Sequence, residues 1–104
     1  MNITKIWYEF DAWSDGYDEN DGNADVHFAL EDGSEWCAAF YTYQNLRSLS
    51  EKNRATGELL AGRYFYADKP IFIEKLDKEL IAAVLQDLLE NEPDLSAVFT
   101  RTDA

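Results

Sequence analysis

The chain has 104 residues, with 21 acids against 9 bases and a formal charge of −12. That length makes one domain, able to bury a core without metal or disulfide staples, and the lone cysteine, Cys37, excludes an internal disulfide. A field of this sign repels nucleic-acid phosphates and anionic membrane surfaces; it attracts basic partners or simply keeps the protein soluble.

The first element in chain order is a strand. From Thr4 the residues alternate, with Thr4, Ile6, Tyr8, Phe10 and Ala12 on one side and Lys5, Trp7, Glu9, Asp11 and Trp13 on the other. The first set predicts a buried face and the second a wet, partly aromatic one. "SDGYDENDGN" follows with turn residues and no apolar period, so it reads as a loop.

"ADVHFALEDGSEWCAAFYT" predicts a β-hairpin. A two-residue turn at Asp32-Gly33 would set Phe28 opposite Cys37 and mix the two faces. A three-residue loop, Glu31-Asp32-Gly33, sets Phe28 opposite Trp36 and Val26 opposite Ala38, with Gly33 in the left-handed position of a bulge. The longer loop is preferred because it keeps each face uniform.

"QNLRSLSEKNR" predicts a short helix, with only Leu46 and Leu49 apolar. A loop through the glycines at 57 and 62 then leads to a strand at 63–67, a turn at Asp68-Lys69-Pro70 and a strand at 71–74. The last long element is amphipathic: Leu80, Ile81, Val84, Leu85, Leu88 and Leu89 share a helical face, with Asp77 as N-cap and Pro93 as stop. "DLSAVF" adds a final turn that tucks Val98 and Phe99 into the core. The expected fold is therefore α+β over residues 1–104. A largely antiparallel sheet of about five strands carries a long C-terminal amphipathic helix on one face, with a short helix between strands 3 and 4.

Motifs for chemistry are sparse. His27 and Cys37 fall on matching strand faces in the three-residue register, yet acid–base catalysis also needs a cleft, so a Cys-His enzyme is disfavoured. "YDENDGNADVHF" fails as a calcium loop. With Gly22 at its sixth position, Tyr17 and Phe28 would hold the first and twelfth, where oxygen ligands belong. Zinc would need more Cys or His than the chain has. The pair Glu9 and Asp11 could in principle do acid–base work, but 21 acids make such pairs inevitable. "TGELLAG" lacks the Lys-Ser/Thr ending of a phosphate loop. No catalytic residue, metal or cofactor is expected.

What remains is the union of acids with aromatics. From Ile6 to Leu46 there is neither Lys nor Arg, against ten Asp or Glu residues, whereas residues 47–104 hold eleven acids against eight bases. Interfaces favour large aromatics at their centres and charges at their rims. The candidate partner-binding residues are therefore Trp7, Glu9, Asp11, Trp13, Asp15, Tyr17, Asp18, Glu19, Asp21 and Asp25.

The runs "DVHFALEDGSEWCAAFYT", "TGELLAGRYF" and "IFIEKLDKELIAAVLQDLL" resemble small immunity proteins of bacterial polymorphic-toxin and contact-dependent growth inhibition systems. The resemblance covers most of the chain after Asp25. It implies a protein without turnover that binds a cognate toxin domain, often a basic nuclease, and blocks its active site or substrate access. It carries over no catalytic residue and no contact list. The alternatives are a small acidic structural or interaction module, or a calcium-binding or hydrolytic domain. The opening "MNITKIWYEF" has no basic segment followed by an apolar run, and no apolar run nears about 18 residues. The expectation is thus a cytoplasmic protein, monomeric or a weak homodimer.

Overall fold

The computed structural model describes residues 1–103. Its elements run β1 (Ile3–Tyr8), a 3-10 turn (Glu9–Ala12), β2 (Asn23–Leu30), β3 (Glu35–Thr42), α1 (Tyr43–Thr56), α2 (Glu58–Gly62) and β4 (Pro70–Ile73). α3 (Lys78–Asn91), a second 3-10 turn (Leu95–Ala97) and β5 (Thr100–Arg101) complete the order. Among the described residues the fold is α+β, with five strands and three helices.

The β2–β3 hairpin has the expected register, with Phe28 facing Trp36 and Val26 facing Ala38. Leu30 N–H donates to Ser34 O at 2.9 Å and Gly33 sits at φ 87°, so the three-residue loop closes through a left-handed glycine. β1 adds antiparallel to β2. The far side of β3 is shared: β4 pairs parallel with Ala39–Thr42, and β5 pairs antiparallel with Trp36 and Cys37. The parallel pairing follows from α1 and α2, which carry the chain away from the end of β3 and back to the level of Ala39.

One face of this sheet is buried. Val26, Phe28, Ala38, Phe40 and Ile73 form a single core with Leu76, Ile81 and Leu85, closed by Phe99, whose ring meets Phe28 edge-on at 5.0 Å. Asp77 caps α3 by accepting from Leu80 N–H at 3.0 Å. α1 and α2 contribute nothing to that core, and only Asn53 is buried within them. They form an arm beside it. The radius of gyration, 14.8 Å, accordingly exceeds the roughly 13 Å expected for a compact chain of this length.

Several expectations need correction. The first strand stops at Tyr8, and Glu9–Ala12 turns as a 3-10 helix that drives Phe10 into the core. Trp7, Glu9, Asp11 and Trp13 therefore do not share a strand face. The helix after β3 is not short: it spans 14 residues, capped by Thr42 Oγ1, which accepts from Asn45 N–H at 3.0 Å. Its length was hidden because few of its residues are apolar. Residues 63–67 form no strand; they return from the arm, and Phe65 packs edge-on against Tyr41 at 5.5 Å. The amphipathic helix α3 also has 14 residues and is not the last element, since β5 follows it into the sheet.

The expected loop at 57–62 is instead a turn wound left-handed through Leu59, Leu60 and Ala61, between left-handed Gly57 and Gly62. Such backbone costs roughly 1–2 kcal/mol per L-residue. The turn is held by Ser50 Oγ, which donates to Gly62 O at 2.7 Å. A Cβ at Gly62 would collide with Ser50 O, whereas one at Gly16 would meet nothing within 4 Å. Both glycines have positive φ, 77° and 76°. In urea unfolding, Gly62→Ala should cost about 3 kcal/mol, strain plus collision, and Gly16→Ala about 1 kcal/mol, strain alone.

Candidate interaction surface

The period of two that builds the core also sets the opposite face of the sheet. One row runs across four strands: Trp7 opposite His27, His27 opposite Cys37, and Cys37 opposite Thr100. The next row holds Asp25, Ala39 and Pro70, and the one beyond it Asn23, Tyr41 and Phe72. None of these belongs to the buried core or packs against it. Two adjoining hollows of about 240 and 320 Å³ lie on this face and share His27 and Thr102. The first also meets Lys5, Trp7 and Glu35; the second meets Asp25, Cys37, Ala39, Asp68 and Lys69.

Trp7 stands at the rim of the first hollow. Its ring lies 5.2 Å from that of His27 and keeps 47% of the residue's surface exposed. Glu9 is outside the strand but reaches back, its Oε1 accepting from Asp25 N–H at 2.9 Å. That bond continues the sheet edge where β1 has ended and holds the Glu9 carboxylate against the backbone of Asp25, which lines the second hollow. Lys69 directs its ammonium elsewhere, donating to Phe99 O at 3.3 Å.

The Cys37 thiol lies 3.9 Å from His27 Nε2, the contact that the three-residue register allows. Its pKa is pushed up to about 11, first by burial and then by the charges of Asp25 and Glu9. At neutral pH the group is a thiol, so the contact is not a thiolate–imidazolium pair. Cys37 in the folded protein should therefore react with iodoacetamide at pH 8 roughly a hundredfold more slowly than an unperturbed cysteine, judged by mass spectrometry. Unfolding in guanidinium should restore the ordinary rate.

The remaining candidates gather on a second surface, the segment between β1 and β2. Trp13 and Tyr17 pack around Phe10, with ring centroids 6.2 and 4.7 Å from it. Tyr17 Oη donates to Leu76 O at 3.3 Å, and Leu76 N–H donates to Glu19 O at 2.7 Å. Asp18 caps its own turn by accepting from Asn20 N–H at 3.0 Å. Asp21 accepts from Ser48 Oγ at 2.7 Å and from Asn45 Nδ2 at 3.0 Å, which ties the segment to α1. Asp11 pairs with Lys78 at 2.8 Å. Asp15, Asp18 and Glu19 stay exposed on this anchored ledge.

The ten proposed residues thus divide. Trp7, Glu9 and Asp25 edge the open sheet face; Trp13, Asp15, Tyr17, Asp18, Glu19 and Asp21 build the ledge; Asp11 is paired with α3. Tyr41, Phe72 and Asp68 were not singled out, and His27 and Cys37, placed on the wet side by strand alternation, were weighed only as a catalytic pair. Not every acid of the base-free run joins either surface. Glu31 and Asp32 occupy the hairpin turn, across the eight residues of β2, roughly 26 Å, from the ledge. Among the described residues no three His, Cys, Asp or Glu side chains gather as metal ligands, and no helix is long and apolar enough to cross a membrane.

The bonds from Ser48 and then Asn45 hold the Asp21 carboxyl below its usual range. A depressed folded pKa contributes stability above the unfolded value of about 3.9 and loses it as pH falls through the folded value. The stability difference between the parent and Asp21→Ala should hold steady from pH 7 to 5. It should shrink below pH 4, read by thermal melts across that series.

Comparisons with protein families, with curated proteins and with solved structures found no match to this chain.

Proposed function

We propose that the chain is an immunity-type protein that captures and neutralises a cognate toxin domain with a basic surface, such as a nuclease. It acts in the cytoplasm by occlusion and without turnover. The observation that carries this reading is the anchored acidic ledge. A base-free stretch that could have been a floppy loop is bound to Leu76 and to α1, while Asp15, Asp18 and Glu19 point to solvent.

Anchoring matters because a preordered segment loses little entropy on binding. Its carboxylates, carried on anchored backbone, can occupy positions that phosphates take in a basic cleft. The net charge of −12 adds long-range attraction. Steered association reaches about 10⁸–10⁹ M⁻¹s⁻¹ at low salt and slows as salt rises. Fast capture suits a cell that must silence a toxin before it cuts nucleic acid. The resemblance of the hairpin and the α3 region to immunity proteins points the same way.

The test begins by co-purifying the tagged protein with the C-terminal domain of any exported toxin encoded beside it. A one-to-one complex should form, and stopped-flow association should slow steeply between low and high salt. The triple variant Asp15→Asn, Asp18→Asn, Glu19→Gln should associate about tenfold more slowly at low salt with an unchanged melting temperature. A salt-independent association rate, or the absence of any complex, would overturn the reading.

A further inference from the structure

The open face of the sheet differs in kind from the ledge. It joins an exposed indole, two carboxylates and a hollow on the most regular part of the fold. We propose that this face is a docking site for an arginine side chain carried on a segment of a partner protein. The guanidinium would lie against Trp7, with its donors toward Glu9 and Asp25. The site rests on the reading above only for which protein brings the arginine.

Charge complementarity selects the occupant. Asp25, Glu35 and Asp68 border the two hollows, with Glu9 bonded to the Asp25 backbone beside them, against Lys5 and Lys69, and the Lys69 ammonium is already bonded to Phe99 O. The floor, His27, Cys37 and Ala39, adds no fixed negative charge, because the Cys37 thiol stays protonated. An anionic occupant would meet the carboxylates unaided, and an apolar one would leave them desolvated and unpaired. A cation answers both.

Shape favours arginine over lysine. Trp7 projects from a strand and is braced by the His27 ring at 5.2 Å, so its indole is a fixed wall on which a flat group can stack. Glu9 is fixed as well, with one carboxylate oxygen engaged by Asp25 N–H at 2.9 Å and the other left for a ligand. A planar fork can stack and donate to two carboxylates at once; a compact, strongly hydrated ammonium does only the second. The row Trp7, His27, Cys37, Thr100 is built on paired backbone, so binding needs no loop to order.

The test uses the ¹⁵N-labelled protein and three capped peptides at millimolar concentration: acetyl-Gly-Arg-Gly-amide, its lysine counterpart and its citrulline counterpart. The arginine peptide should shift the Trp7 indole N–H and the His27 and Cys37 amides saturably. The lysine peptide should bind about fivefold more weakly, and neutral citrulline should produce no such shifts. Glu9→Gln keeps the acceptor for Asp25 N–H, so the double variant Glu9→Gln, Asp25→Asn should keep its fold by amide fingerprint yet lose most of the arginine response. Absence of a saturable response, equal response to arginine and lysine, or full response in the double variant would overturn the site. A toxin complex forming while the peptide fails would reject this site and keep the proposed function. Peptide binding without any toxin complex would do the reverse.

Discussion

A single residue of register in the β2–β3 hairpin governs both faces of this molecule. With Glu31-Asp32-Gly33 as the loop, Phe28 meets Trp36 in the core, and the intervening pair, His27 and Cys37, meets on the other side. Because side chains alternate with a period of two, slipping one residue would set Phe28 opposite Cys37 and mix core and wet side chains on each face. The left-handed Gly33 is what lets the turn hold that count. Every later element is laid on the result. β1 copies the register outward to place Trp7 beside His27, and β4 and β5 divide the other edge of β3.

The negative charge has more than one use. Asp77 caps α3, Asp21 joins two distant segments, and Asp11 pairs with Lys78. Such an ion pair, half exposed on both sides, adds little stability but fixes where the 3-10 turn lies against α3. Other acids, at Asp15, Asp18 and Glu19, stay in water, where their mutual repulsion is tolerated because the backbone beneath them is anchored. Structural and exposed carboxylates interleave within a few residues of one another, so a count of acids does not separate them.

The arm of α1 and α2 shows how weak local signals are read only in context. α1 is polar enough to resemble a loop, and its extent depends on two caps: Thr42 at the start and left-handed Gly57 at the end. Three successive left-handed residues at 59–61 run against the preference of L-amino acids. They persist because Gly62 lies directly on α1 and Ser50 holds its carbonyl.

Legibility therefore follows the range of the interaction. Alternation in the hairpin, the spacing of leucines in α3 and the Asp77 cap were all readable, because each depends on neighbours within a turn or a strand pair. The exit of Glu9–Ala12 from the strand was not. Phe10 satisfies a strand pattern and a 3-10 turn equally well, and only the core beneath it and the Asp25 N–H awaiting Glu9 choose between them. The candidate site divides likewise: alternation alone put Trp7 and His27 on the wet face, but their union with Glu9 and Asp68 is set by pairing and by the returning segment. In the hairpin and α3 the sequence by itself determined which side chains face oil and which face water. Tertiary structure decided which of the water-facing ones meet, since that depends on contacts between residues far apart in the chain, which no local period encodes.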